Sequence, residues 1–378
     1  MRQRKLLIAV LASLVLAACN DAALDHYNLG IEALERGDTT AALTHFEASL
    51  KERPSDPDTR TNYGVALLGA GQPQRALSEF QAAALADPDD PAIHVNLAEA
   101  YKALGRVQAA RTEYETALRQ DPGLVEAWSG YGELLMEAGQ YEEATDRLLR
   151  AITLKSSHAP SQFHLGWVYL RTGRPVESTH YFLRGLQSDP ESRYGRIGLA
   201  ESYLVRVMPA DALTEFQKVL ASDSTNVEAM VGIGDCQVRL GNSAAAESIL
   251  RRAIARAPSD PRAHRCLGGA LTARGEYAEA VSQYRLAIQL KDDDAEAYLG
   301  LGTALEAAGE LADAEVALTA ALTHAPHDPN ILYRLGQVYL GMNDPGRGRS
   351  YLEMALDETG DDPPLRARIR AALDSIPR

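Results

Sequence analysis

Residues 57–90 read PDTRTNYGVALLGAGQPQRALSEFQAAALADPDD. Arg60, Tyr63, Gly64 and Leu67 recur at helical spacing, so the first half of the stretch is an amphipathic helix. Gly71 suits a left-handed helix C-terminus, and Pro73 suits the first turn of a second helix. Ala76, Phe80, Ala83 and Ala84 form a second stripe, and Pro88 stops that helix. The pattern recurs every 34 residues without insertion or deletion, over 23–56, 57–90, 91–124, 125–158, 159–192, 193–226, 227–260, 261–294, 295–328 and 329–362. Position 8 of each repeat is Gly or Ala, position 20 is Ala, Ser or Gly, and position 24 is Phe, Tyr or Leu. Small residues at 8 and 20 let two helices approach, and the large residue at 24 fills the space between them. Eight repeats carry Gly at position 15, and six carry Pro at position 32.

These residues resemble the tetratricopeptide repeat (TPR), over 23–362. The resemblance implies an all-α fold, a right-handed superhelical α-solenoid of ten TPR helix pairs. No repeat buries both of its faces alone, so neighbours must stack into one continuous core. Residues 363–378 are expected to form a C-terminal capping helix, with Leu365, Ile369, Leu373 and Ile376 on one face and Arg366, Arg368 and Arg370 off it.

Composition agrees. A chain of 378 residues with 46% apolar content is not wholesale disordered. Five Phe and two Trp beside abundant Ala and Gly suit closely packed helices better than a β-sandwich. A net charge of −14 argues against a nucleic-acid partner. Three cysteines exclude a disulfide-stapled scaffold and a multi-cysteine zinc site.

The N-terminus reads as an address. Arg2, Arg4 and Lys5 precede a short apolar core, which Leu16-Ala17-Ala18-Cys19 closes. The core is too short for a membrane span. Its ending resembles the lipobox of bacterial lipoproteins. That resemblance makes 1–18 a signal peptide, Cys19 the lipidated residue, and 19–22 a tether of about 10 Å reach. Two or three acyl chains make a stable anchor. Asn20, rather than Asp, follows the cysteine, and in enteric-type sorting this favours the outer membrane. The chain is therefore expected in the bacterial cell envelope, anchored to the membrane by lipid and facing the periplasm.

In TPR solenoids the first helix of each repeat lines a concave groove. Position 6 reads Asn28, Asn62 and Asn96 in the first three repeats, then Gly130 and His164, with Arg334 in the last. Successive asparagines resemble the ladder by which some TPR grooves hold a peptide backbone, since each amide both donates and accepts; a solvated face is the other reading. Position 9 supplies Glu99, Glu133, Glu201 and Asp235, a stripe that implies a basic segment as partner or else a solvated surface. Repeat 5 places Phe163, His164 and Trp167 at positions 5, 6 and 9, either exposed as an interaction hot spot or buried by curvature. Arg265 and Arg334 make the late groove weakly basic. Position 5 carries one arginine in ten repeats, which does not make a carboxylate clamp.

Catalytic patterns are missing: there is no Gly-x-Ser-x-Gly, His-Glu-x-x-His or Walker loop. No cofactor or metal is implied. His324 with His327, and Asp292 to Asp294, read as solvated loops before they read as cation sites. Cys236 and Cys266 are expected as free, partly buried thiols. The sequence thus describes a non-enzymatic scaffold or adaptor for extended or helical segments of other proteins. Envelope assembly of a pilus or secretion system, of exopolysaccharide export or of cell-wall machinery is the expected setting. Two alternatives are a substrate-recruiting arm for a glycosyltransferase carried on another chain, and a carbohydrate-binding protein.

Overall fold

The computed structural model of the chain describes residues 22–360 and 362–376. The expected signal segment, the lipobox-like stretch and Cys19 lie outside the described residues. All regular structure among those described is helical. Contacts divide the chain into two compact units, with the boundary between Glu191 and Ser192 at the end of repeat 5.

The N-terminal unit holds α1 (22–35), α2 (Thr39–Glu52), α3 (Pro57–Gly69), α4 (Pro73–Ala86), α5 (Pro91–Ala103), α6 (Val107–Gln120), α7 (Val125–Glu137), α8 (Tyr141–Leu154), α9 (Ala159–Arg171) and α10 (Pro175–Ser188). The C-terminal unit holds α11 (Arg193–Val205), α12 (Pro209–Ser222), α13 (Val227–Arg239), α14 (Ser243–Arg256), α15 (Pro261–Ala273), α16 (Tyr277–Leu290), α17 (Ala295–Ala308), α18 (Leu311–His324), α19 (Pro329–Gly341), α20 (Pro345–Glu358) and α21 (Pro363–Asp374). Each repeat is one helix pair, and each unit is an α-solenoid stack of five pairs, the second ending in α21. Leu365, Ile369 and Ile376 of that last segment are buried against the tenth repeat.

The small positions act as sequence reasoning expects. A Cβ added to Gly64 would lie 2.4 Å from the Phe80 ring, and one on Gly132 would lie 2.5 Å from Leu148. Ala42, Ala76, Ala110, Ala144, Ala212, Ala246, Ala280 and Ala314 are fully buried. Aspartates at the joints cap the first helices: Asp56 accepts from Thr59 N, Asp294 from Ala297 N and Asp328 from Ile331 N. Part of the chain's acidity is therefore capping.

The turn within each repeat needs a left-handed residue. Gly173 sits there at φ 73° and Gly309 at φ 84°, but Val207 and Asn343 hold the same place at φ 58° and 60°.

One expectation is corrected. By spacing, position 4 belongs to the apolar stripe, but in several repeats it forms a polar clasp to position 23 of the same repeat. Arg60 pairs with Glu79, His94 Nδ1 meets Glu113 at 2.7 Å, Arg196 Nη1 meets Glu215 at 3.0 Å and His264 Nδ1 meets Gln283 at 2.8 Å. Arg60, Glu79, His94 and Glu113 are half-buried with their polar tips near water, while Glu215 and His264 are buried and satisfied by their partners.

Candidate functional site: the inner face of the first helices

Within each unit the backbone of a first helix comes close to that of the next first helix, α3 to α5, α5 to α7 and α7 to α9, and likewise from α11 to α19, whereas among the described residues second helices reach one another only through long side chains such as Arg251 and Glu279 at 2.7 Å. The odd-numbered helices therefore lie on the shorter, inner side of each stack. Their positions 2, 5, 6, 9, 12 and 13 hold the candidate residues.

In the N-terminal unit, Asn28 is exposed and Asn62 and Asn96 are half-buried. Asn62 Nδ2 donates to Tyr27 Oη at 3.2 Å and to the Asp58 carbonyl at 2.9 Å. Both amide hydrogens are thus in use, and Asn62 offers a ligand only its carbonyl oxygen. Neither Asn28 nor Asn96 has a hydrogen bond from its side chain among the described residues. Val65 at position 9 is 37% exposed, and no ion pair joins α1 to α3 among the described residues.

From α5 onward the acidic positions are engaged. Lys102 Nζ lies 2.7 Å from both Glu99 Oε2 and Glu133 Oε2, and Glu133 Oε1 lies 3.7 Å from His164 Nε2. Tyr114 donates its hydroxyl to Glu99. Burial disfavours a charged Lys102, but Glu99 and Glu133 outweigh it and its pKa is raised. Burial likewise opposes the Glu133 carboxylate, but His164 and Lys102 hold its pKa below the ordinary value. Burial pushes the His164 pKa down, so the imidazole is neutral at pH 7. Burial, reinforced by Glu133, raises Glu137. Two carboxylates thus share one lysine, with Glu137 close enough to feel Glu133.

Phe163 is 3% exposed and cannot touch a groove ligand. Its ring fills the space left by Gly185, where an added Cβ would come within 2.3 Å, and stacks 6.5 Å from Phe182. Trp167 packs edge-on against Phe182 at 5.5 Å and is half-buried. Repeat 5 is therefore an aromatic core cluster with one partly open rim. The clue in the sequence was Gly185, the only glycine at position 27 in ten repeats.

In the C-terminal unit Arg262 Nη2 reaches across α13 to Glu201 Oε1 at 2.8 Å. Asp235 pairs with Arg239 at 3.0 Å, Arg265 with Asp294 at 3.3 Å and also with Glu296, and Arg334 with Glu306 at 3.2 Å. Here each member of the expected acidic and basic stripes is neutralised by a charged residue outside them. Cys236 and Cys266 are free and buried, and burial pushes both thiols up to about 12, so neither is a reactive nucleophile at neutral pH.

A coupling between some repeats escaped the sequence reading, although Phe46 and Phe80 at position 24 are followed by Asn62 and Asn96 and do not obey it. Tyr114, Phe216 and Tyr284 at position 24 press on Gly130, Gly232 and Gly300 at position 6 of the following repeat. Where position 24 is Leu148, Leu250 or Leu318, the next position 6 is His164, Cys266 or Arg334. At repeat 4 the asparagine series ends where the Tyr114 hydroxyl occupies the space: a Cβ on Gly130 would meet it at 2.6 Å.

Among the described residues no group of three or more metal-binding side chains occurs, and no helix is long and apolar enough to cross a membrane. His327 pairs with Glu358 at 2.8 Å, His324 stacks on Tyr298 and Asp294 caps α17.

No curated protein matches the sequence. Among solved structures, the APC/C hetero-tetramer Cut9–Hcn1 aligns at 14% identity over 92% of this chain and 96% of that one, with a TM-score of 0.52, a likeness of fold alone. Yeast Tom70 aligns at 14% identity over 94% of this chain and 96% of that one, with a TM-score of 0.46. TTC0263, a thermophilic TPR protein of Thermus thermophilus, aligns at 23% identity over 48% of this chain and 99% of that one, with a TM-score of 0.45. A tetratricopeptide repeat family model matches residues 33–94, 67–123, 103–156, 208–268 and 305–373. Further repeat models of the same kind match 132–193 and 268–309. With most of the chain matched, the protein belongs to the tetratricopeptide repeat family.

Proposed function

We propose that this TPR protein is a non-enzymatic scaffold of the bacterial cell envelope, anchored through lipidated Cys19 on the periplasmic side, with the outer membrane favoured by Asn20. It holds extended or helical segments of partner proteins along the inner face of its N-terminal unit during assembly of an envelope complex. One observation carries this reading. Asn28, Asn62, Val65 and Asn96 form a run of accessible amide and apolar groups that no ion pair ties down, on helices fixed by a packed core. Asn28 and Asn96 bring both donor and acceptor to a partner's backbone, while Asn62 brings an acceptor. The surplus of Glu99, Glu133 and Glu137 over Lys102 favours a basic residue further along the segment.

The test uses two equivalent sites. A photo-crosslinking residue at Val65 is expected to capture a defined partner in the native membrane, whereas one at Thr303, the matching position of repeat 9, is not. Equal capture at both sites would defeat the assignment to the N-terminal unit. Cys19→Ser is expected to release the protein from the membrane fraction, and tight retention would refute the lipid anchor.

A further inference from the structure

The clasp between positions 4 and 23 takes another form in repeat 4. There Trp128 of α7 meets Arg147 of α8, and the guanidinium carbon lies 5.8 Å from the Trp128 ring centre and 5.4 Å from that of Tyr131. Both rings are locked at their polar ends. Trp128 Nε1 donates to the Pro122 carbonyl at 2.9 Å, and the Tyr131 hydroxyl donates to Glu115 at 3.0 Å. Arg147 is half-buried, yet among the described residues no carboxylate or carbonyl accepts from it.

Other arginines stacked on rings differ. Arg174, 4.4 Å from Tyr169, bonds Glu177, and Arg347, 4.3 Å from Tyr339, bonds Asp344. Arg111, on Tyr131 at 5.9 Å, bonds Gln140 at 2.9 Å. Arg368, on Tyr333 at 4.9 Å, also lacks a carboxylate but is exposed on the final helix. Arg147 instead lines a depression of about 340 Å³ with Leu118, Arg119, Trp128, Tyr131 and Glu115. Arg119 spends one donor on Thr116 and keeps the rest of its fork. The depression is thus lined by two guanidiniums and one carboxylate, and Tyr131 already engages that carboxylate.

We propose that this depression is a second docking site, which takes a carboxylate on an acidic segment of a partner protein. The edge of a stacked guanidinium presents parallel donors that match a planar carboxylate, and ring stacking fixes the fork in advance. Leu118 and Trp128 receive the methylenes next to that carboxylate. A phosphate dianion has no use for this apolar wall and would be repelled more strongly by Glu115. The site lies apart from the inner-face asparagines and is independent of the function proposed for them.

The test exploits the two tryptophans. In full chain carrying Trp167→Phe, Trp128 is the sole tryptophan and reports on the depression. This protein is titrated with an end-blocked hexapeptide of alternating Glu and Leu, with the matching Gln-Leu peptide, and with inorganic phosphate. Saturable quenching by the Glu peptide alone is expected, with affinity lowered about tenfold by Arg147→Gln and about threefold by Arg119→Gln. Arg147→Lys, which keeps charge but not the fork, is expected to fall between wild type and Arg147→Gln. Arg174→Gln is expected to change nothing. Circular dichroism verifies the fold of each variant. Equal binding of the Gln peptide, or Arg147→Gln and Arg147→Lys both binding like wild type, would overturn the proposal. Phosphate competing as well as the Glu peptide would overturn the assignment to a peptide carboxylate.

Discussion

The inner face of the N-terminal unit and that of the C-terminal unit are built from the same positions of the same repeat, yet they differ in what they leave open. Between α1 and α3 the face carries Asn28, Asn62 and Val65 with no ion pair, and from α5 to α7 two carboxylates, Glu99 and Glu133, gather round Lys102. In the C-terminal unit Arg239, Arg262, Arg265 and Arg334 each meet a carboxylate, and Arg262–Glu201 and Arg334–Glu306 link one first helix to another. The repeat frame decides which residues face inward. The neighbouring repeats decide whether those residues are available to a partner.

The largest expected effects break the packing that both faces share. Gly232→Ala would place a Cβ 2.4 Å from the buried Phe216 ring and is expected to cost about 2 kcal/mol through overpacking. Adding Phe216→Leu should recover about 1 kcal/mol as a coupling term, because leucine at position 24 precedes a larger position 6 elsewhere in the chain. In the N-terminal unit, Gly130→Ala should cost at least as much, since it also crowds the Tyr114–Glu99 hydrogen bond. Hydrogen exchange measured helix by helix is the appropriate reading, because repeat arrays depart from two-state unfolding. A coupling near zero would show that positions 24 and 6 are not linked.

Next in size is the charge cluster. Lys102→Met leaves Glu99 and Glu133 facing each other half-buried and is expected to destabilise the N-terminal unit by about 1–3 kcal/mol. Acid should act on the same place. The lowered Glu133 pKa contributes stability that is present above the ordinary value of 4.5 and is lost as pH falls through the lower folded value. The depressed His164 pKa adds a second loss, starting as pH falls below 6.5, because the unfolded chain then binds the proton more readily. Urea midpoints from pH 7 to pH 4 should decline in wild type. Lys102→Met should flatten the part of that decline due to Glu133.

The fold was legible because its constraints repeat. A glycine at position 8 opposite a large residue at position 24 recurs in register, and so do the turn glycines and the closing prolines. The accessible face was legible only by position. Lys102 finds Glu133 at a separation of 31 residues, Arg334 finds Glu306 at 28 and Arg262 finds Glu201 at 61, so no common spacing announces the pairs. These contacts join rotamers of long side chains across a stack, and only the placed helices bring the tips together. Phe163 was a different case: its burial was written in Gly185, a residue that carries meaning only once helix contacts are known.

The turns sharpen the contrast between units. All five turns of the N-terminal unit use glycine: Gly37, Gly71, Gly105, Gly139 and Gly173. The first turn of the C-terminal unit uses Val207 at φ 58°, a β-branched residue in a left-handed conformation and 78% exposed. Val207→Gly is expected to stabilise that unit by about 1 kcal/mol, because relief of steric strain exceeds the added freedom of the unfolded chain. Asn343→Gly should gain less, since asparagine tolerates this region. A loss of stability in Val207→Gly would show that the valine makes a contact worth its strain.

The smallest effect decides whether the C-terminal ion pairs resemble the Lys102 cluster or merely neutralise a surface. The Arg262 side chain is 41% exposed while that of its partner Glu201 is 19% exposed, so water screens the pair from one side. Arg262→Met is therefore expected to cost less than about 1 kcal/mol, far below a buried pair broken at one end. It should also be salt-sensitive. At 1 M NaCl the screening length shrinks to about 3 Å, comparable with the separation of the charges, and the difference between wild type and Arg262→Met should nearly vanish. The Lys102→Met penalty should persist under the same conditions, because both Lys102–carboxylate contacts are shielded from bulk ions, with Lys102 only 16% exposed. If high salt instead left the Arg262→Met penalty intact, the bridge over α13 would be a structural tie equal to the N-terminal cluster. The two inner faces would then differ in how much charge they leave unpaired but not in the kind of stability that charge provides.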